Sequence, residues 1–300
     1  MVRSSLRMGN GNDARRLQFV RFLAFLSLIR WYNLFLVLVA QFLAARFVLV
    51  GQSDQWNWLL DRGLWGLALA GSILLAGGYV INAFYDMETD LANRPQEVIV
   101  GRVISKKHAL QAWLALNGVG LTLSAFLSPR LLLFYILYSG SLWLYSHKLR
   151  KFPLMGEIAA AFLSVSVFFA ICVHYQSVNA GLLILAALFW VLVLAREMVK
   201  KLISMKGDLV FGYRTFPIEY GLKKTRRLLV ILHSTAFLPL LAFTLLNHHS
   251  STYLFAGLVG SGVWASLYLT LKAVRPADHH RINTALKFIL LMCIGGIILI

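Results

Sequence analysis

Nine stretches of this chain are long and apolar enough to cross a bilayer. A spanning helix needs about 20 mostly apolar residues, within a range of roughly 17–25. Such segments lie near 22–50, 64–85, 108–127, 131–146, 157–175, 181–200, 228–246, 253–272 and 284–300. The fourth is the shortest and is expected to borrow residues at its ends. The expected fold class is therefore all-α, a polytopic membrane protein with about nine transmembrane helices. Composition agrees: 59% of the 300 residues are hydrophobic and only 14% are charged. Soluble domains carry about 45–50% apolar and about 25% charged residues, so one soluble core cannot hide this surplus. A soluble enzyme, a disordered chain and a disulfide scaffold are excluded. Cys172 and Cys293 sit inside apolar runs with no ligand spacing around them.

The formal net charge is +17. In a soluble protein that would suggest nucleic acid, but here the basic residues cluster in short loops between apolar segments, so no nucleic-acid partner is expected. Cytosolic loops carry an excess of Lys and Arg. With the amino terminus inside, the stretches 1–21, 86–108, 147–156, 200–227 and 272–287 hold 24 of the 29 Lys and Arg residues. The bias predicts a cytosolic amino terminus and a carboxy terminus on the opposite side, in an integral multi-pass protein of a bacterial inner membrane. Residues 1–21 are read as a basic cytosolic tail without the pattern of a cleaved signal peptide. Residues 22–300 are read as a single domain, with cap loops near 86–108 and 200–227.

Ionisable groups at membrane depth are costly and point to function. The second segment ends YVINAFYDMETDLANRPQEVIVGR, with Asn82, Asp86 and Asp90 four residues apart. Successive i,i+4 positions share a helix face, one turn above another. An amide and two carboxylates then form a column at the mouth of a bundle. Magnesium takes one or two carboxylates plus substrate phosphates and water, so such a column suits magnesium on a diphosphate. A merely solvated helix end would look similar locally, but the position after an apolar span, followed by Arg94 and Arg102, favours a site. The sixth segment ends AREMVKKLISMKGDLVFGYRTFPIEYG, where Glu197, Lys201, Ser204 and Asp208 can share a face. The competing reading there is a snorkelling helix end. The histidines show no metal-ligand spacing and are expected in solvated or interfacial places.

At these two loops the chain resembles the UbiA superfamily of intramembrane prenyltransferases. Asn82, Asp86 and Asp90 match its first signature, NxxxDxxxD, and the stretch from Glu197 to Asp208 matches the frame of its second. LIRWYNL, with Arg30 and Asn33, is similar to the family's first helix. YSHKLRKFPLMGE is similar to its fourth-to-fifth loop, and GYRTFPIEYG to the tail of the second signature. The resemblance implies nine helices bundled around a central cavity under two cytosolic caps. It implies transfer of a prenyl group from an isoprenyl diphosphate to an acceptor, with Mg2+. Asn82, Asp86 and Asp90 would hold one magnesium–diphosphate group, and Asp208 with Glu197 a second. Arg94, Arg102, Tyr145 and Lys148 would meet diphosphate oxygens. The acceptor is left open among quinone-precursor aromatics, porphyrins and glycerol phosphate lipids. VIVGR with NRP is similar to the branch of the family that prenylates glycerol phosphate.

The chain departs from the pattern at Lys201 and Ser204, where the second signature carries aspartates, and at Glu157, where Asn is common. Three readings stay open: Lys201 replaces a cation, Lys201 pairs with Glu157, or activity has been lost. Phe84, Tyr85, Tyr135, Tyr138, Trp143, Phe168 and Phe169 are candidates to stabilise an allylic cation, since aromatic faces attract cations. A terpene cyclase on the same scaffold and a transporter are the rival functions. The carboxylates lie at the predicted cytosolic mouth rather than the midplane, which argues against transport.

Overall fold

The computed structural model describes residues 11–49, 60–93, 95–96 and 98–299. The described residues form twelve α-helices: α1 (Gly11–Leu28), α2 (Trp31–Leu43), α3 (Arg62–Asn93), α4 (Lys106–Leu127), α5 (Pro129–His147), α6 (Met155–Ser166), α7 (Phe169–Tyr175), α8 (Ala180–Val210), α9 (Phe216–Thr235), α10 (Phe237–Leu246), α11 (Ser250–Lys272) and α12 (Pro276–Gly296). Among the described residues, eight segments are long and apolar enough to span a membrane. In these, α2 continues into a π-helical stretch Ala44–Leu49, α6 runs into α7, and α9 into α10. The ninth expected segment is α5, 19 residues long. It is less apolar because it carries Tyr135, Tyr138, Tyr145 and several serines.

Three expectations change. The segment expected at 22–50 is not one helix: it breaks at Arg30, whose backbone is left-handed (φ 51°, ψ 53°). Part of the stretch read as a tail is helical, because α1 begins at Gly11. Much of the expected loops 86–108 and 200–227 is also helix, since α3 runs to Asn93 and α8 to Val210. Their polar residues keep the helical spacing of the apolar residues before them, so nothing in the pattern stops the helix. Gly221 does interrupt α9: its φ of 79° is a conformation open to glycine.

Two large apolar clusters form most of the interior, and a third, smaller one joins Leu28, Val80, Val100 and Ala109. One large cluster gathers α2, α3, α5 and α7, and the other gathers α8 to α12. Lipid tails are as apolar as leucine, so helices associate in a membrane chiefly through close packing at small residues. On α3, Ala68, Ala70, Gly71, Ala76, Gly77 and Gly78 are buried, and α4 and α5 pack against that helix. The carboxyl-terminal ends of α3 and α8 meet at one end of the bundle, here called the polar end. At the far end, Asp61 caps α3 by accepting from the backbone N–H of Gly63 (2.8 Å) and Leu64 (3.1 Å), and Tyr175 donates to its other oxygen at 2.6 Å.

Candidate active site

Two helix walls face each other at the polar end. On α3, Asn82 Nδ2 donates to Asp86 Oδ2 at 2.7 Å, and Asp86 Oδ1 is ion-paired with Arg150. Asp90 lies one turn further on, at an exposed rim of the same cavity. On α8, Ser204 Oγ donates to the buried Asp208 carboxylate at 2.8 Å. The walls are clasped at the edge of the cavity, where Gly207 N donates to Oδ1 of Asn93, itself a lining residue, at 2.9 Å. A β-carbon at position 207 would stand 2.3 Å from the Asn93 amide nitrogen, so glycine permits this approach.

Between the walls is a cavity of about 170 Å³, lined by Asn82, Asp86, Asp90, Tyr145, Lys201 and Asp208 among others. It adjoins a deeper space of about 130 Å³ whose walls include Leu75, Leu142, Leu163 and Tyr79. The two spaces share Arg30, Asn82, Tyr145, Glu197 and Lys200. The deeper space brings Leu75, Leu142 and Leu163 beside Arg30, Arg196, Glu197 and Lys200, so apolar wall begins where the charged groups end.

Seven expected residues line the charged compartment: Asn82, Asp86, Asp90, Tyr145, Glu197, Lys201 and Asp208. Ser204 lines it as well. Arg102 and Lys148 are exposed and do not line it, and Arg102 donates instead to the Pro95 carbonyl. Arg94 lies outside the described residues. Glu197 and Asp208 line the same cavity. Glu197 is held by Lys200, whose Nζ reaches both carboxylate oxygens at 2.8 and 2.7 Å.

The other cations of the compartment are Arg30, Arg150 and Lys200, to which the sequence assigned no role. Arg30 and Arg150 lie within LIRWYNL and YSHKLRKFPLMGE, so the stretches signalled them although their burial did not. Arg30 stacks on the Tyr79 ring at 5.0 Å, and its positive φ is the kind of backbone strain that gathers at functional sites. Arg150 is almost fully buried, and its Nη2 donates to Tyr213 Oη at 3.2 Å. Burial pulls the Arg150 pKa down, while Tyr213 and Asp208 oppose that pull. Thr89 also donates to Tyr213 Oη at 3.3 Å. For the Tyr213 phenol, burial is the largest influence and pushes the pKa up. The Thr89 hydrogen bond and the Arg150 charge outweigh it, and the net shift is downward.

Among the candidate aromatics, Tyr135 and Tyr138 are core residues, and Tyr135 Oη donates to the Leu67 carbonyl at 2.7 Å. The rings that line the joined cavity are Tyr79 and Tyr145. One histidine departs from the solvated expectation: His233 is buried, with Nδ1 2.7 Å from the Leu229 carbonyl and Nε2 2.8 Å from Ser266 Oγ.

Among the described residues, no three His, Cys, Asp or Glu side chains converge to cage a metal by themselves. Magnesium does not need such a cage, because it keeps waters and takes substrate phosphates. The oxygen donors suit it. Asn82 Oδ1 is buried without a hydrogen-bond partner, beside a carboxylate column and across from Asp208. A buried carbonyl oxygen in that condition is an open position for a hard cation.

Comparison with known proteins agrees with this geometry. Residues 33–293 match the model of the UbiA prenyltransferase family. The digeranylgeranylglyceryl phosphate synthase of Methanospirillum hungatei is 32% identical over 211 residues, which is 69% of this chain and 72% of that protein. The synthase of the same name from Thermococcus kodakarensis is 31% identical over 71% of this chain and 76% of its own length. Among solved structures, a UbiA homologue from Aeropyrum pernix superposes with a TM-score of 0.72 at 16% identity, over 89% of this chain and 97% of that one. A UbiA homologue from Archaeoglobus fulgidus, bound to GPP and Mg2+, superposes with a TM-score of 0.66 at 15% identity, over 91% and 99%. The fold, the family match over most of the chain and the signature residues gathered at one cavity make this protein a member of the UbiA prenyltransferase family.

Proposed function

We propose that this transferase moves a prenyl group from an isoprenyl diphosphate onto a glycerol phosphate lipid within the membrane, with magnesium holding the diphosphate. The observation that carries the reading is the column of Asn82, Asp86 and Asp90 facing Asp208 at the charged mouth of a cavity whose deeper part is walled by leucines. The named relatives, as digeranylgeranylglyceryl phosphate synthases, support the glycerol phosphate acceptor.

The reaction breaks the allylic C–O bond, the diphosphate departs with the electron pair, and the acceptor's hydroxyl oxygen bonds to the allylic carbon while its proton passes to diphosphate or water. Asn82, Asp86, Asp90 and Asp208 would hold the magnesium, which neutralises part of the leaving group's charge. Arg30, Arg150, Lys200 and Lys201 line the same compartment and meet the rest. Charge stabilisation in a site already organised for it is usually the largest part of catalysis. Tyr79 and Tyr145 present rings near the junction of the two spaces, where the allylic carbon would lie. The apolar walls keep water from the cation. The mouth faces the cytosol in this reading, with the amino terminus inside, in the inner membrane of a bacterial cell.

The test is pyrophosphate release by purified protein supplied with an isoprenyl diphosphate, a prenylated glycerol phosphate and Mg2+. Chelation should abolish release. Asp86→Ala and Asp90→Ala should each lower it by about 10²-fold or more while the protein stays monodisperse in detergent. Unchanged rates in both variants would overturn the assignment. Equal release without any acceptor would indicate cyclisation, and transfer only to an aromatic acceptor would overturn the lipid assignment.

A further inference from the structure

We propose that this cavity takes one divalent cation, not two, and that the Lys201 ammonium supplies the second positive charge at the diphosphate. The inference rests on the prenyl diphosphate reading above and deepens it.

The two walls are unequal in oxygen donors. The α3 wall offers the unpartnered Asn82 oxygen and the carboxylates of Asp86 and Asp90. The α8 wall offers Asp208 with its bonded Ser204 hydroxyl, both oxygens of Glu197 being held by the Lys200 ammonium; on α3 the oxygens of Asp86 meet Asn82 and Arg150, with the open Asn82 oxygen beside them. Lys201 lies on the cavity wall, four residues after Glu197 and seven before Asp208, on one helix face. A second divalent cation on that side would find one carboxylate and, beside it, an ammonium that repels it.

A buried residue outside the cavity points the same way. Glu157, in the first turn of α6, is 1% exposed, and neither carboxylate oxygen has a hydrogen-bond partner of ordinary geometry. A carboxylate so enclosed needs a counter-charge. The cation that acts on it most strongly is Lys201. Lys201 lies on the cavity wall, within the field of that buried carboxylate but without a direct ion pair to it. The ammonium presents its three donors to phosphate oxygens as a compact point charge.

The test counts Mn2+ in the full-length protein in detergent, with inorganic pyrophosphate as the probe, by titration calorimetry and electron paramagnetic resonance. The wild type should bind one Mn2+ per chain in the presence of pyrophosphate, with no coupling between manganese spins. Two spin-coupled Mn2+ ions would overturn the single-cation proposal and leave the transferase reading intact. No pyrophosphate-dependent Mn2+ binding would overturn both. The paired change Glu157→Gln with Lys201→Asp removes the buried charge together with its counterion, and it should admit a second Mn2+. A folded double variant that still holds its first Mn2+ and no other would overturn the place given to Lys201.

Discussion

Arg150 is the residue on which most of the charged compartment turns. It reaches from a short 3-10 turn to Asp86 on α3 and to Tyr213 beyond the end of α8. Arg150→Met would leave Asp86 without its ion-pair partner. Removing one partner from a buried ion pair costs about 3–5 kcal/mol, so the variant should melt well below the wild type in detergent. Its pyrophosphate release should fall by about 10²-fold, and Arg150→Lys, which keeps the charge and loses the planar fork, should fall between the two. Tyr213 gives a prediction in pH. Its folded pKa lies below the ordinary 10. A group whose folded pKa is depressed stabilises the fold in its ionised form. That contribution starts as pH rises through the folded value, is complete above 10, and is lost on the way down. The phenolate absorbance difference between wild type and Tyr213→Phe should therefore have its midpoint below pH 10, and a midpoint at or above 10 would contradict the Arg150 contact. At this scale the sequence showed Asn82, Asp86 and Asp90 because their spacing is local. It did not single out Arg150, Arg30 or Lys200, because their roles come from neighbours far away in the chain.

At the scale of elements, spans were legible and breaks were not. A run of apolar residues announces a helix, but no proline or glycine stands at Ile29–Arg30 to announce the left-handed turn there. The loops at 86 and 200 looked polar enough to be irregular, yet helical spacing persisted through them and carried both walls of the cavity. The clasp between those walls makes an element-level prediction. Gly207→Ala places a methyl group against the Asn93 side chain and should cost about 1–3 kcal/mol, the usual toll of overpacking. Shortening the neighbour as well, with Asn93→Ala, should recover part of the melting temperature, and no recovery would show that the joint is held by something else. At the other end, the Asp61 cap of α3 should be worth about 1 kcal/mol, read as the loss of thermal stability in Asp61→Ala. The Asp61 carboxyl is itself held below its ordinary 3.8: burial raises it, and the Tyr175, Leu64 and Gly63 hydrogen bonds together overcome that rise.

At the scale of the whole molecule, charge and greasiness together foretold nine spans and one basic end. Basic Arg150, Lys200 and Lys201 and acidic Asp86, Asp90 and Asp208 do meet at that end. The pairing of those charges was beyond the pattern, because loop composition counts residues without saying which ones touch. Single-cysteine accessibility should find positions near 102 and 214 labelled only from the cytosolic side and positions near 62 and 177 only from the other. The reverse pattern would invert the proposed orientation.

The joint between Asn93 and Gly207 sits at the edge of the compartment, with Asn93 on its wall, and its make-up has an evolutionary consequence. The gap is bridged there by a backbone N–H and one amide, not by the charged side chains of α8. Residues on the inner surface of α8 are then at liberty to drift, exchanging an acid for a base or a hydroxyl, while the opening they border keeps its dimensions. A lineage can thereby retune how many ions its pocket recruits without first rebuilding the walls.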